Sequence, residues 1–230
     1  MATKVRLLER DARPSCAMTR AAGFRAWFVA FVVLGASAGC ATSIPLTKQS
    51  RETTSSVSVK EDVSVPDQIY YHGPGQSLGM ALGVVGVLVA EAAAQGPKGQ
   101  LKAAMKEGHI DLGQIVREQF AAALTEAAVF PAIIADGGEA EFQLEVRIFG
   151  FARPPGFSSR LKPMLGVKGT LARRDGPILW QKYDYVTNLA DETPSHTLEE
   201  YLQTPKLIEE SLTAAAKIVA RELMKDMRQK

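Results

Sequence analysis

The sequence predicts an α+β domain, a two-layer sandwich of a mainly antiparallel sheet with helices packed on one of its faces. Three stretches, 140–152, 163–173 and 178–186, place apolar residues on one side of a two-residue period, which is typical of half-buried strands. The dipeptide Asp175-Gly176 between the last two stretches is a strong hairpin signal, so these strands are expected to pair antiparallel.

Two amphipathic helices account for the second layer. Apolar residues recur at spacings of three and four within 111–128 and again after Pro205, to the end of the chain. Asp111 is a candidate N-cap for the first helix. The second helix carries acidic residues early and basic residues late, which complements the helix dipole.

An additional strand is predicted near the start of the domain. Val57, Val59, Val63 and Val65 share one side of a two-residue period that ends at Pro66-Asp67. The expected order is strand, Gly-rich helix, helix, three antiparallel strands and helix, within a single domain over residues 57–230.

The first 39 residues have the three parts of a secretory signal. Arg20 and Arg25 precede the apolar run 26–34, and small residues fill 35–39. The apolar run is well short of the roughly 20 residues that a spanning helix needs. We expect residues 1–39 to be a signal peptide. Met18 offers a second possible start, which would make residues 1–17 an annotation artefact.

The end of this signal resembles the bacterial lipobox. Ala38-Gly39-Cys40 matches its last three positions, while Ser37 stands where Leu is usual. The resemblance implies cleavage after Gly39 and attachment of lipid, including an acyl chain such as palmitate, to Cys40. An ordinary signal peptide cut near Ala36 or Ala38 is the alternative, and it leaves Cys40 a free thiol.

Residues 41–56 are polar and rich in Ser and Thr, which predicts a flexible tether between the lipidated Cys40 and the domain. Farther on, the segment 73–97 is apolar and Gly-rich. Gly79 and Gly83 form one G-x-x-x-G spacing, which permits close approach of helices in a membrane.

The Gly-rich segment has three interpretations. The first is a small-residue helix packed on the sheet, the second an interfacial or membrane-dipping helix, and the third an oligomer contact. Gly79, Gly83 and Gly86 are the candidate contact residues for the last two.

Charge and cysteine usage exclude several classes of protein. Six of the 27 basic and two of the 25 acidic residues lie within 1–39, leaving 21 and 23, so the mature chain is near −2. Such a domain lacks the excess basic charge of a nucleic-acid binder. Cys16 lies in the signal and Cys40 is the proposed anchor. His72, His109 and His196 are scattered, so no metal site and no cofactor are predicted.

No catalytic group is assigned. The carboxylate pairs Asp191-Glu192 and Glu199-Glu200 are neighbours in sequence, and neighbours on a helix point apart. Ser158-Ser159 has no glycines of a nucleophile elbow around it. We therefore do not expect an enzyme; an envelope hydrolase without a recognisable motif is the least favoured alternative.

Phe149 and Phe151 are candidate partner contacts. If they project from the side opposite to Phe142, Leu144, Val146 and Ile148, both faces of the strand 140–152 are apolar and both must be buried against other residues. The Gly-rich segment or a partner protein could cover the second face, because large exposed apolar patches usually mark interfaces.

In layout, residues 57–229 resemble the auxiliary lipoproteins of cell-envelope transport systems. The resemblance rests on the helix 111–128, the strand Glu141–Val146, the Asp-Gly hairpin and the closing helix; the Gly-rich insertion departs from it. It implies a lipid-anchored protein that acts through an envelope protein partner.

The expected location is the periplasmic face of the outer membrane. Ala41 stands where Asp would retain a lipoprotein at the inner membrane under the enterobacterial sorting rule, and the inner membrane stays an alternative. A membrane-inserting or pore-associated component that uses residues 78–94 is the main functional alternative.

Overall fold

A computed structural model describes residues 43–73, 96–156, 158–174 and 176–228. These residues form a six-stranded, mostly antiparallel sheet with helices packed against it, which confirms the predicted α+β class. The helices are α1 (Lys48–Thr53), α2 (Pro97–Glu107), α3 (Leu112–Ala127), α4 (Leu198–Gln203) and α5 (Pro205–Arg228). The strands are β1 (Ser56–Val59), β2 (Tyr70–His72), β3 (Ala132–Ile133), β4 (Ala140–Ala152), β5 (Lys162–Arg173) and β6 (Ile178–Val186).

The sheet is built around β4. Its order is β3-β1-β4-β5-β6, and β2 also pairs with β4. β4, β5 and β6 form an antiparallel meander, in which Leu171 lies opposite Trp180 as the hairpin signal predicted. On the other edge of β4, β1 and β2 both run parallel to it, one at each end.

The strand expected over residues 57–65 is shorter than predicted. β1 ends at Val59, and pairing with β4 resumes at Ser64, which bridges Glu145. The residues between include the charged run Lys60-Glu61-Asp62, which is exposed. Because these side chains are costly to bury, the chain leaves the sheet over this run and returns after it.

Local signals in the sequence set the helix ends. Asp111 caps α3, as predicted, by accepting a hydrogen bond from the Gln114 backbone N–H at 3.0 Å. α3 ends at Ala127, and the C-cap residue Ala128 takes a left-handed conformation (φ 47°). Pro205 opens α5, where its missing N–H costs no hydrogen bond.

One face of the sheet and the helices α3 and α5 enclose an aromatic core. The Phe142 ring makes edge contacts with three others, at centroid distances of 5.1 Å to Phe120, 6.0 Å to Phe130 and 6.1 Å to Trp180. Phe142 and Trp180 are fully buried. One ring from β4 therefore contacts rings from α3 and β6 and the ring of Phe130, which precedes β3.

A β-bulge decides which way the aromatic residues of β4 point. Val146 pairs with Val167, but Ile148 rather than Arg147 pairs with Gly166, so β4 carries one extra residue here. The extra residue shifts the alternation of side chains between the two faces of the sheet by one position, so odd-numbered residues face the core after the bulge. Phe149 and Phe151 therefore lie on the same face as Phe142 and are buried, while Ile148 turns to the other face. The face assumed for Phe149, Phe151 and Ile148 in the partner-contact hypothesis was wrong.

The prediction of a flexible tether over 41–56 was also wrong from residue 43 onward. Ile44 forms an antiparallel bridge with Gln181, and Leu46 is 1% exposed in the core. Thr47 then caps α1 by accepting from the Ser50 N–H. The Ser and Thr residues that suggested disorder serve here as helix caps and turn residues, and two apolar residues among them fix the segment to the sheet.

Gly150 provides a test of the β2–β4 junction. It has φ +152°, and an added Cβ would collide with the carbonyl oxygen of Tyr70 in β2. Replacing Gly150 by Ala is expected to lower the free energy of unfolding by about 3 kcal/mol, because backbone strain and overpacking add. Urea unfolding measures the loss.

Gly156→Ala is the matched control. Gly156 also has a positive φ (+105°), but a Cβ there meets nothing within 4 Å. This variant should cost only about 1 kcal/mol. Equal losses in the two variants would contradict the close approach of β2 to β4.

Candidate functional site

The chain enters the folded domain at an edge strand. Ile44 and Gln181 exchange both backbone hydrogen bonds, at 2.8 and 2.9 Å. The Ser43 hydroxyl also donates to the Gln181 carbonyl, at 3.4 Å. Within the described residues β6 is the last strand on this side of the sheet. The segment that leads back to Cys40 therefore starts at a fixed place on β6.

Side chains of α1 and β6 near this entry point also make contacts with α5. The Arg51 guanidinium of α1 donates to the Met227 carbonyl at the end of α5. Trp180 Nε1 donates to the Asp226 carboxylate at 3.0 Å, and Lys182 Nζ lies 3.7 Å from the same carboxylate. Asp226 thus joins α5 to β6 beside the entry point. The Arg51 hydrogen bond joins the N-terminal segment to the same helix, so this segment is part of the domain.

The residues proposed for attachment and membrane contact are not covered by the structure. Gly39, Cys40, Gly79, Gly83 and Gly86 lie outside the described residues. Their roles stay predictions. Within the described ranges, no helix has the length and apolar character needed to cross a membrane.

Phe149 and Phe151 occupy different surroundings within the core. Phe151 is fully buried, and its ring centroid lies 4.6 Å from that of Tyr201 in α4. Phe149 is 6% exposed and borders a surface hollow. Phe151 therefore packs the domain internally, whereas Phe149 forms part of the floor of a surface feature.

That hollow has a volume of about 860 Å³ and lies between α2, the start of α3 and the segment before β2. Ile69, Leu112 and Phe149 line it and are buried. The charged lining residues have both signs: Lys102, Lys106, Asp67 and Asp111, together with His109. An apolar centre with a rim of mixed polarity is the usual composition of a protein–protein contact.

The three histidines lie on separate elements. His72 is the last residue of β2, His109 lies between α2 and α3 with φ 52°, and His196 bridges Leu161. His196 Nδ1 is 3.7 Å from the Glu200 carboxylate. Among the described residues, no group of three or more His, Cys, Asp or Glu is arranged to hold a metal ion.

A buried polar cluster surrounds Tyr201, and sequence inspection did not single it out. The Tyr201 hydroxyl lies 3.0 Å from the Ser211 hydroxyl and 3.4 Å from the Leu161 carbonyl. Both side chains are fully buried. Burial raises the pKa of Tyr201 to about 12, against a smaller opposing effect of the Ser211 hydrogen bond. The pair joins α4, α5 and the start of β5 through groups that solvent does not reach.

The paired carboxylates have separate structural contacts. Glu192 receives two hydrogen bonds from the Arg221 guanidinium, at 2.9 and 3.0 Å. Glu200 accepts from the Thr197 backbone N–H at 2.7 Å in a capping box, and this hydrogen bond lowers the pKa of Glu200. Asp191 and Glu199 contact Lys162 and Gln203. The two pairs therefore stabilise loops and a helix start.

The outer face of the sheet carries a stacked pair of tyrosines. The rings of Tyr183 and Tyr185 in β6 lie 5.9 Å apart at 25°. A Cβ on Gly166 in β5 would collide with the Tyr183 hydroxyl, so the absence of a side chain at Gly166 makes room for this ring. Tyr185 is 59% exposed, and burial raises the pKa of Tyr183.

Comparison with known proteins gives similarity to solved structures alone. No family model matches the chain, and no curated protein matches it. A Xanthomonas campestris protein of the DUF330 family is 11% identical, with a TM-score of 0.41, over 79% of this chain and 84% of that one. A PelC dodecamer from Paraburkholderia phytofirmans is 11% identical, with a TM-score of 0.37, over 82% and 96%. A minor lipoprotein from Acinetobacter baumannii is 12% identical, with a TM-score of 0.30, over 75% and 94%.

The buried Tyr201 hydroxyl predicts a pH dependence of stability. Its pKa rises from about 10 in the unfolded chain to about 12 in the fold. The proton is therefore bound more tightly in the fold. The stabilisation is complete below pH ~10 and is lost as the pH rises through about 12. The loss should be on the order of 2 kcal/mol, measured by urea unfolding at pH 8 and at high pH.

Tyr201→Phe provides the comparison. It should cost about 1 kcal/mol at pH 8, because Ser211 loses its hydroxyl partner. It should also show a smaller fall in stability at alkaline pH than the parent protein. A fall of the same size in both proteins would show that Tyr201 is not the group responsible.

Proposed function

We propose that the chain is a lipid-anchored cell-envelope lipoprotein that acts by protein–protein interaction as an auxiliary component of an envelope transport or assembly system. One observation supports the anchor above all others. The basic, apolar and small-residue parts of an export signal end at Ala38-Gly39-Cys40, and Ile44, four positions after Cys40, already pairs with Gln181 of β6. The cysteine therefore stands at the junction between signal and domain, where an anchor is needed.

The chemistry of the described domain supports action by contact rather than by catalysis. Three of the groups with shifted pKa values have structural roles. Tyr201 hydrogen-bonds inside the core, and Glu200 caps α4. Glu139 accepts from both the backbone N–H and the hydroxyl of Ser55, which lowers the Glu139 pKa. The hollow beside Phe149 supplies a surface of the composition that protein partners use.

The proposed location is the periplasmic face of the outer membrane. Ala41 follows the proposed lipidated Cys40, and Asp at that position is the signal for retention at the inner membrane under the enterobacterial rule. The partner is then another envelope protein within reach of the anchored domain.

Metabolic labelling with an alkyne analogue of palmitate tests the anchor. The full-length protein, expressed in a bacterium with a lipoprotein pathway, is expected to take up the label and to fractionate with membranes. Cys40→Ser should abolish both, because the thiol is the attachment point. Cys16→Ser is the matched control and should keep the label, since Cys16 lies in the segment to be removed.

Two results of the labelling experiment would contradict lipidation of Cys40. An unlabelled mature protein whose N-terminus lies near residue 37 or 39 would show ordinary signal cleavage, and the lipoprotein assignment would be wrong. Equal labelling of the parent and Cys40→Ser proteins would place the lipid on another residue.

A second candidate function is a membrane-inserting or pore-associated component. The G-x-x-x-G spacing of Gly79 and Gly83 within an apolar segment favours it. Carbonate extraction of membranes from cells that express Cys40→Ser tests this candidate. An inserted segment 78–94 should keep the protein in the membrane pellet at alkaline pH. Full release would contradict insertion and leave the lipid as the membrane attachment.

A further inference from the structure

The place where the chain joins β6 restricts how the domain can lie on a membrane. Only three residues lie between Cys40 and Ile44, so the two α-carbons, four steps apart, are separated by at most about 14 Å. Ile44 is bound to Gln181 by two backbone hydrogen bonds. A lipid on Cys40 therefore keeps this part of β6 close to the bilayer, whatever conformation the connecting residues adopt.

The direction of the chain at this point identifies the relevant end of β6. The Ile44–Gln181 bridge is antiparallel, so Ser43, the residue before Ile44, lies on the side of Gln181 that faces increasing residue numbers in β6. Tyr185 lies four residues beyond Gln181, about 13 Å along the strand. The span from Gln181 to Tyr185 is about as long as the fully extended link from Ile44 to Cys40. The end of β6 is therefore within reach of a lipid on Cys40.

This end of β6 carries the most exposed large hydrophobic side chains in the described part of the protein. Leu189 is 62% exposed and Tyr185 is 59% exposed, compared with 43% for Ile178 and 39% for Ile134. Leu189 lies just beyond the end of β6, and Tyr185 stacks on Tyr183. The two most exposed large apolar side chains of the described residues therefore lie at, or just beyond, this end of β6.

A cation lies beside these residues. The Arg153 carbonyl accepts a hydrogen bond from Asn188 Nδ2 at 2.6 Å, which places Arg153 next to the loop that carries Leu189. Arg153 is exposed, and its guanidinium forms no ion pair with a described residue. Tyrosine, leucine and an exposed arginine together suit the boundary between lipid headgroups and acyl chains, where aromatic residues collect and cations meet phosphate.

We propose that Tyr183, Tyr185, Leu189 and Arg153, the β6-end surface, rest on the phospholipid bilayer to which Cys40 is anchored. This inference rests on the proposed lipidation. The docked domain lies against the headgroups along the end of β6 and leaves the opposite edge of the sheet, at β3, for the periplasm. The membrane contact is then a second, non-covalent function of the folded domain.

Fluorescence quenching by brominated phospholipids tests the orientation. The lipidated protein is reconstituted in vesicles of phosphatidylethanolamine and phosphatidylglycerol with bromine on the acyl chains. After removal of residues 1–39, Trp180 is the remaining tryptophan, and it is fully buried. Tyr185→Trp adds a reporter on the β6-end surface. Ile134→Trp adds another exposed reporter next to β3, on the far edge of the sheet.

Quenching of the Tyr185→Trp protein is expected to exceed that of the Ile134→Trp protein by roughly twofold or more, because tryptophan at the membrane interface reaches the acyl-chain boundary. Equal quenching of the two variants, in protein that floats with the vesicles, would overturn the proposed orientation while leaving the anchor intact. Protein that carries no lipid and does not float would overturn the anchor, and the orientation with it. Flotation thus separates the two failures.

A thiol-protection measurement gives an independent readout. Lipidation consumes the Cys40 thiol, so Leu189→Cys introduces the one free thiol of the mature chain. Its reaction with a charged maleimide should slow several-fold when the protein is bound to vesicles, relative to detergent. Ile134→Cys should react at the same rate in both. Unchanged reactivity at position 189 would overturn the proposal, and urea unfolding of each variant confirms that the fold is kept.

Discussion

Strand β4 is the element on which the rest of the described structure depends. It pairs with β5 over its whole length, and its other edge accepts β1 at one end and β2 at the other. The buried face of β4 carries Phe142, whose ring contacts rings from α3 and β6. The bulge at Arg147 keeps that face apolar over thirteen residues, because it brings Phe149 and Phe151 back to the side of Phe142.

The same arrangement leaves the second face of the sheet to solvent in the described residues, and this has consequences for function. Glu145 and Tyr183 lie on it, and Gly166 makes room for the Tyr183 ring. A domain with helices on one face only has two distinct sides. Because Ile44 pairs with Gln181, the chain joins the described domain at the edge strand β6. Under the proposed lipidation, that edge strand also restricts which side of the domain can meet a membrane.

Local patterns in the sequence predicted the fold well where local chemistry decides the outcome. The capping of α3 by Asp111 and the antiparallel pairing across Asp175-Gly176 follow from interactions between residues close in the chain. The bulge in β4 could not be predicted in this way, since it depends on which residues of β5 lie opposite. The tether over 41–56 was mispredicted for a related reason. Composition indicated a polar linker, but Ile44 pairs with Gln181, more than a hundred residues away, and Leu46 is buried in the core.

The candidate functional residues show the same difference between features that depend on neighbouring residues and features that depend on distant ones. The export signal and the lipidation of Cys40 are predictions from consecutive residues, and these residues lie outside the described part of the chain. Tyr201 was not singled out, since its significance depends on Ser211 and on complete burial. The sequence by itself determined the fold class, the start of α3 at Asp111, the start of α5 at Pro205 and the prediction of the anchor, all of which depend on neighbouring residues. Only the tertiary structure decided which face Phe149 and Phe151 occupy and that the chain enters at β6, because these depend on pairing between distant strands.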